Sequence, residues 1–138
     1  MRMKLLTLLC YSMLPLTTLV VVAAEQPPLE MAYPAEVSLQ ETIEGKYKYV
    51  LAHSNLRLYV YDMDSPGVST CTGGCAHAWP PLPVEEGSQP VGEWTIVQRD
   101  DGMDQWAYKG QPVYLRYHDS VSDPQGNKPA EGWHFLEP

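Results

Sequence analysis

Two short stretches with alternating apolar and polar positions open the patterned part of the chain. YKYVLAH (47–53) and LRLYVY (56–61) are rich in β-branched and aromatic residues, and Ser54-Asn55 lies between them. Alternation with a period of two is typical of β-strands that bury one face, and a short polar connection between two such runs is typical of a hairpin. The pattern therefore predicts a first hairpin over these residues.

A second group of strands is predicted further along the chain. WTIVQR (94–99) and DQWAYK (104–109) are separated by a DDG turn sequence, so they are expected to form a second hairpin. PVYLRY (112–117) and GWHFL (132–136) have the same β-type composition. Outside residues 1–24 no segment shows a helical period, so we predict an all-β fold with antiparallel pairing.

Alternation also divides the side chains of two strands between opposite faces. Tyr59 and Tyr114 fall on one face of their strands. The opposite face carries the aliphatic residues Leu58, Val60, Val113 and Leu115. We expect the aliphatic faces to form the core, with four tryptophans supplying bulk in a chain that has one phenylalanine.

A shift of 55 positions aligns two copies of one pattern. Tyr59 falls on Tyr114, Asp64 falls on Asp119, and the aliphatic positions beside each tyrosine keep their parity. Internal repeats indicate an architecture built from related units. We therefore predict a small antiparallel β domain made of two related hairpin units that share one core, with long Pro/Gly-rich loops.

The N-terminal segment, residues 1–24, predicts export. Arg2 and Lys4 precede an apolar run over residues 5–24, and the run ends in small residues. This order is typical of a secretory signal peptide, with cleavage expected after Ala24. An uncleaved anchor helix is the alternative, because the run approaches the ~20 residues that span a bilayer. Lipid attachment at Cys10 is disfavoured, because a large leucine precedes it.

Three segments are therefore expected: a signal peptide over residues 1–24, an extended acidic, Pro-containing arm over residues 25–45, and the β domain over residues 46–138. Cleavage removes two basic residues and no acid, so the net charge changes from −8 to −10. A surface this acidic repels phosphate, which argues against nucleic acid as a partner. We expect a secreted or periplasmic protein whose partner is an envelope protein or a small ligand, with membrane contact only through an uncleaved signal.

Cys71 and Cys75 are the two cysteines that remain after cleavage, and both lie in CTGGCAHAWPP (71–81). An oxidising compartment favours a disulfide between neighbouring thiols. Gly73 and Gly74 let the chain turn back, so that the Cα atoms can reach the separation of roughly 4.4–6.8 Å that a disulfide requires. We predict a structural disulfide worth about 2 kcal/mol. A redox-active pair is the functional alternative.

The same segment leaves a metal site as another alternative. Two thiolates and the imidazole of His77 suit copper or zinc, and Met63, Met103 and His118 would be further donors if their loops converge. Two cysteines and one histidine are an incomplete set, and a disulfide offers no thiolate. Covalent haem attachment requires Cys-x-x-Cys-His, and both gaps here are one residue longer. We therefore expect no cofactor, with copper as the alternative.

The two Tyr-x4-Asp motifs have a structural interpretation. A buried tyrosine hydroxyl needs a partner, and an aspartate at the start of a turn accepts backbone N–H groups. We expect the pairs Tyr59/Asp64 and Tyr114/Asp119 each to fix a strand-to-loop corner. A calcium site among the loop aspartates is the alternative, although no stretch has the spacing of an EF-hand loop.

Trp79, Pro80 and Pro81 form a candidate binding surface, because a tryptophan beside two prolines is rigid. The alternative is that this tryptophan closes the core beneath a loop. The sequence contains no Ser-His-Asp order, nucleotide-binding loop or zinc-protease motif. No catalytic residue is assigned, and the chain is not expected to be an enzyme.

Several of these motifs together resemble a known family. YVYDMD (59–64), YLRYHD (114–119) and CTGGCAHAWPPL (71–82) are similar to segments of the secreted-repeat family with a Tyr-x4-Asp motif, whose members are often described as predicted lipoproteins. RDDGMDQWAYKGQPVY (99–114) extends the similarity. The family is chiefly one of unknown function, so the resemblance implies a fold and export, and no reaction.

Two functional hypotheses follow from these sequence features. The first is an exported, non-enzymatic binding or accessory module of the cell envelope, stabilised by one disulfide. The alternative is a periplasmic copper-binding or electron-transfer protein that uses Cys71, Cys75 and His77 as ligands. The two hypotheses require opposite states of the cysteine pair, bonded in the first and reduced in the second.

Overall fold

The structure of the protein is a computed structural model, which describes residues 31–138. The predicted signal peptide, its cleavage site and the start of the arm lie outside the described residues. The elements are β1 (Val37–Glu41), β2 (Tyr47–Leu51), β3 (Tyr59–Tyr61), α1 (Gly74–Ala78), β4 (Trp94–Gln98), β5 (Asp104–Tyr108), β6 (Gln111–Pro112), a 3-10 helix (Pro129–Glu131) and β7 (Trp133–Phe135). Neither of the helices in residues 31–138 has the length and apolar character needed to cross a bilayer.

The strands form three small antiparallel sheets, β1–β2, β3–β7 and β4–β5–β6. The predicted small antiparallel all-β fold is confirmed. The short helix α1 has no counterpart among the predicted elements, because five residues are too few to show a helical period.

The first hairpin differs from the prediction. β2 pairs with β1 over all five residues of each strand. It meets the chain that leads into β3 only through a bridge between Val50 and Arg57. β1 lies inside residues 25–45, so this part of the predicted arm belongs to the folded domain. The sequence of β1 has two apolar positions among polar residues, a pattern too weak to mark it as a strand.

The second hairpin is confirmed, because β4 and β5 pair over five residues each. The last predicted strand is also present as β7. The strand predicted over residues 112–117 is largely replaced by an irregular segment after β6. In this segment Tyr114 forms isolated bridges to Tyr59 and Pro81.

The two halves of the domain repeat one arrangement, with a spacing that changes along the chain. The hairpin β1–β2 corresponds to β4–β5, with Val37 at the position of Trp94. The motif tyrosines correspond at a slightly shorter spacing, because the connection after β2 is longer than the connection after β5. The closing segments, 79–82 and 133–136, correspond at a spacing that is shorter again. We call residues 37–82 the N-terminal repeat and residues 94–136 the C-terminal repeat.

Both faces of the strands at the repeat crossing are buried. The aliphatic face joins a cluster that contains Leu58, Val60 and Val113, as expected. The tyrosine face is buried as well, since Tyr59 and Tyr114 have 0% of their surface exposed and belong to a second cluster. The expected core therefore accounts for the first cluster, and the second lies at the repeated motif.

Candidate functional site

The two motif tyrosines lie opposite each other where the repeats cross. The N–H of Tyr59 donates to the carbonyl of Tyr114 at 2.9 Å, and the N–H of Tyr114 donates to the carbonyl of Tyr59 at 2.8 Å. Because the two residues occupy equivalent positions, this reciprocal bridge relates the repeats by an approximate two-fold axis.

Each tyrosine bonds to the aspartate of the other repeat. The hydroxyl of Tyr59 donates to Oδ2 of Asp119 at 2.5 Å, and the hydroxyl of Tyr114 donates to Oδ2 of Asp64 at 2.5 Å. The expectation that each motif pairs within itself is therefore corrected. Spacing within one motif shows that a tyrosine and an aspartate recur together, but it does not show which copies meet.

The second oxygen of each aspartate holds the loop that follows it. Oδ1 of Asp64 accepts the N–H and the hydroxyl of Thr70, both at 2.8 Å. Oδ1 of Asp119 accepts the N–H of Gln125 at 2.9 Å. In both repeats the bonded N–H lies at the sixth position after the aspartate. We call each arrangement of tyrosine, aspartate and loop N–H a Tyr–Asp lock.

The locks leave these aspartates poorly suited to bind calcium. Both carboxylate oxygens of Asp64 and Asp119 already accept hydrogen bonds, whereas calcium needs six to eight oxygen ligands. Among residues 31–138, no three His, Cys, Asp or Glu side chains are grouped so that they could hold a metal ion.

The lock tyrosines are held in their neutral form. Burial raises the pKa of Tyr59 and of Tyr114 above the ordinary tyrosine value, and the neighbouring carboxylate of Asp119 or Asp64 raises it further. Each tyrosine therefore stays protonated at neutral pH and keeps donating to its carboxylate.

Four stacked side chains form an aromatic column beside the locks. Tyr61 stacks on Trp133 with ring centroids 4.2 Å apart, and Trp133 stacks on Trp79 at 3.7 Å. The guanidinium of Arg116 lies 4.8 Å from the centre of the Trp79 ring and closes the other end. The column is also symmetric, because Tyr61 and Arg116 occupy equivalent positions in the two repeats, as do the two tryptophans.

The candidate surface Trp79-Pro80-Pro81 lies between the repeats. Trp79 is 7% exposed and stands inside the aromatic column. The carbonyl of Pro80 accepts the N–H of Leu115 at 2.7 Å, and Pro81 pairs with Tyr114. The interpretation that this tryptophan closes the core agrees with its position. The equivalence of Trp79 and Trp133 in the repeat is the sequence signal that points to this role.

The predicted disulfide is confirmed. Cys71 and Cys75 are bonded, with Cα atoms 5.2 Å apart, and Cys71 is buried in the cluster that holds the lock tyrosines. While this bond is intact, neither sulfur is a thiolate ligand, so the copper set lacks two of its three members. His77 is exposed, and its ring lies 5.2 Å from the ring of Tyr117.

A buried arginine, which sequence reasoning missed, joins the disulfide loop to the C-terminal repeat. Arg99 donates to the carbonyl of Cys71 at 2.8 Å, to Ser69 Oγ at 2.8 Å and to Gln105 Oε1 at 2.9 Å. It also pairs with Asp101 at 3.0 Å. The N–H of Met103 and then Arg99 hold the pKa of Asp101 below its ordinary value. The sequence gives no clear signal for this burial, because Arg99 is a charged residue at the end of a predicted strand, next to the polar DDG turn.

A cleft of about 200 Å³ opens at the Tyr61 end of the aromatic column, and both repeats contribute to its walls. One wall follows the first Tyr-x4-Asp motif, and the other is the turn between β5 and β6. The lining residues are Tyr61, Asp62, Asp64, Ser65, Pro66, Lys109, Gly110, Gln111 and Pro112. Of the predicted site residues, all of which lie in the described part of the chain, Asp64 alone lines this cleft.

Local backbone geometry shapes the second wall of the cleft. Lys109 and Gly110 have φ angles of 48° and 81°, which form a two-residue hairpin turn in the left-handed region. Glycine enters this region freely, but a lysine there is strained. Gly110 also bonds to the first wall, since its carbonyl accepts the N–H of Gly67 at 2.8 Å. The turn therefore holds Lys109 at the cleft.

The charges at the cleft are mixed. Asp62 lies 2.7 Å from the imidazole Nε2 of His134, with both side chains partly exposed. Lys109 also lines the cleft, and its ammonium group lies over the ring of Tyr108, 5.0 Å from the ring centre. The cleft thus offers a carboxylate with a histidine partner, the hydroxyl of Ser65 and the neutral amide of Gln111.

Comparison with known proteins supports export and identifies no catalysed reaction. Residues 48–83 match a family described as a secreted repeat of unknown function, which confirms the resemblance seen in the motifs. The matched segment includes β3, the first Tyr-x4-Asp motif, the disulfide and Trp79. No curated protein and no solved structure matches the chain.

Proposed function

We propose that this protein is an exported, non-enzymatic binding module of the cell envelope, secreted or periplasmic, with its signal peptide cleaved after Ala24. The match to a secreted-repeat family supports export. The disulfide between Cys71 and Cys75 supports an oxidising compartment.

The cleft beside Tyr61 is the observation that carries the binding role. Ligand sites are concave, largely preformed, and combine apolar or aromatic walls with a few polar groups. This cleft has an aromatic wall, two prolines and four polar or charged side chains besides the engaged Asp64. Its walls come from different repeats, and the locks fix the repeats against each other. The cleft is therefore held open without a ligand.

The polar groups near the cleft do not form a catalytic set. The histidine–carboxylate pair of His134 and Asp62 would need a nucleophile to resemble a hydrolase site. Among the described residues, no hydrogen bond joins this pair to a serine hydroxyl or a cysteine thiol. The arrangement therefore favours recognition over reaction.

The proposal is tested in the exported full-length protein. A photo-crosslinking amino acid replaces Gln111 in the cleft wall, and a matched control replaces Gln98, an exposed residue of β4. We expect a discrete crosslinked product from position 111 and none from position 98. Mass spectrometry of the exported chain should give a mature N-terminus at Glu25. Retention in the cytoplasm, or identical crosslinking at both positions, would contradict the proposal.

A further inference from the structure

We infer that the cleft binds a single sugar ring at the end of, or within, an envelope glycan. This inference rests on the proposed binding function and names the chemical class of the ligand. Three properties of the cleft lead to it, namely its size, its aromatic wall and its set of hydrogen-bonding groups.

The size of the cleft suits one small ring. Sites for drug-sized ligands occupy roughly 300–1,000 Å³, and this cleft has about 200 Å³. Such a volume accommodates one ring and leaves the rest of a longer ligand outside. An occupant of this kind is a terminal or single internal unit of a polymer, or a free monosaccharide.

The aromatic wall suits the face of a sugar. One side of the Tyr61 ring is stacked on Trp133, which is in turn stacked on Trp79, so the platform is rigid. Aromatic faces carry partial negative charge, and the C–H groups on one face of a pyranose carry partial positive charge. A sugar ring can therefore stack on Tyr61, and the protein loses little side-chain freedom when it does so.

The polar side chains suit adjacent hydroxyl groups. A sugar hydroxyl both donates and accepts, so its site needs partners of both kinds. Gln111 offers a donor and an acceptor, Ser65 offers a hydroxyl, and Asp62 accepts. Lys109 lines the second wall as part of the turn between β5 and β6. These groups come from both walls of the cleft.

Other ligand classes fit this cleft less well. A metal ion finds few ligands here, because both carboxylate oxygens of Asp64 already accept hydrogen bonds, one from Thr70 and one from Tyr114. A nucleotide could stack on Tyr61, but its phosphates would approach a protein of net charge −8 before cleavage and −10 after it. A neutral, hydroxyl-rich ring avoids both conflicts.

Titration of the folded mature protein with oligosaccharides of glucose, N-acetylglucosamine and mannose tests this inference by nuclear magnetic resonance. We expect at least one of them to shift the backbone signals of residues 61–66 and 109–112. Tyr61→Ala should weaken that binding about tenfold, near the low end of the effect that removal of one aromatic side chain has on a stacked nucleic-acid base. Gln111→Ala, an exposed change that spares the column, should weaken it severalfold.

A matched control uses a second tyrosine. Tyr47 lines a different groove beside Arg57 and Glu137, and Tyr47→Ala should leave sugar binding unchanged. The inference is overturned if none of the three sugars shifts the cleft signals, or if Tyr47→Ala weakens binding while Gln111→Ala does not. A specific crosslink from position 111 to a protein, with no response to sugar, would overturn the inference and leave the binding module intact. Absence of both signals would overturn both.

Discussion

The loops that follow the two Tyr-x4-Asp motifs are both held at a Tyr–Asp lock, but different contacts hold them. The N-terminal loop, residues 64–79, contains the bonded pair Cys71–Cys75 and the helix α1. The C-terminal loop, residues 119–133, has Gly126 at the position equivalent to Cys71 and a 3-10 helix, Pro129–Glu131. Both loops begin with an aspartate that accepts an N–H from the sixth position after it.

The contacts beneath the two loops explain the difference. In the C-terminal loop the backbone itself reaches the lock, because the N–H of Gly126 donates to the hydroxyl of Tyr59 at 3.3 Å. In the N-terminal loop the equivalent hydroxyl, of Tyr114, contacts a side chain, Ser69 Oγ, at 2.6 Å. The shared element is the lock, and each loop is then fixed by its own device, a covalent bond or close backbone packing.

Alkaline pH should break both locks together, and this is the largest effect we expect. The folded protein raises the pKa of Tyr59 and Tyr114, mainly by burial, and raises that of Tyr49 to about 12. A tyrosine whose folded pKa is raised contributes stability that is fully present below about pH 10 and declines as the pH rises above that value. Denaturant unfolding from about pH 8 to about pH 11 should therefore show a falling free energy of unfolding.

The near-ultraviolet absorbance of tyrosinate provides the check. The buried tyrosines should ionise only as the protein unfolds, so absorbance and circular dichroism should change together at high pH. Ionisation of every tyrosine near pH 10 with retention of the fold would show that the locks do not raise the pKa of Tyr59 and Tyr114.

Gly126→Ala should break the C-terminal loop. A Cβ at this position would overlap the ring of Tyr59, which is fully buried and cannot move aside. We expect a loss of about 3 kcal/mol or more in the free energy of unfolding, because overpacking here displaces the lock. Gly74→Ala is the matched control, since a Cβ there meets nothing within 4 Å. Equal stability of the two variants would contradict the packing described for Gly126.

Double-mutant cycles sharpen the comparison by testing which partners each tyrosine uses. Tyr59→Phe should couple to Asp119→Asn by about 1.5–3 kcal/mol, the range for hydrogen bonds to charged groups. It should show little coupling to Asp64→Asn, although that aspartate belongs to the same motif. Free energies from denaturant unfolding give the coupling. A larger coupling of Tyr59→Phe to Asp64→Asn than to Asp119→Asn would contradict the pairing of each tyrosine with the aspartate of the other repeat.

Replacing both cysteines with serine should loosen only the N-terminal loop. A loop this short predicts a loss of about 2 kcal/mol. Hydrogen exchange should increase around residues 70–79 and stay unchanged around Gly126. Thiol titration of the unfolded wild-type protein should find no free thiol in the mature chain. Two free thiols, or equal loosening of both loops, would contradict this difference between the repeats.

Sequence patterns predict much of this fold because they record which positions face the interior. The second hairpin, the last strand and the aliphatic cluster all follow from alternation around Trp106, Leu58 and Val113. The first hairpin is predicted with the wrong partner because β1 is short and largely polar. Alignment of the two repeats at one constant spacing also misses the correspondence of β1–β2 with β4–β5. The spacing changes along the chain because the connection after β2 is longer than the connection after β5.

The site is less predictable, because its parts meet across the repeats. The spacing of Cys71 and Cys75 suffices for the disulfide, since a short stretch of chain determines it. The partner of Tyr59 lies 60 residues away, in Asp119, and local spacing carries no information about that contact. The cleft likewise needs Lys109 beside Tyr61, and only the three-dimensional closure of the two repeats provides it.

The way the chain closes on itself has a consequence for its biosynthesis. β3 receives its neighbour from β7, with Tyr59 opposite Phe135, and the N–H of Leu136 donates to the carbonyl of Leu58 at 2.8 Å. A chain that emerges from a ribosome or a translocation channel in order must therefore wait for residues 133–136 before its first half is complete. Until then the unfinished half exposes its tyrosines and leucines, which is the period when a holding chaperone can act on it.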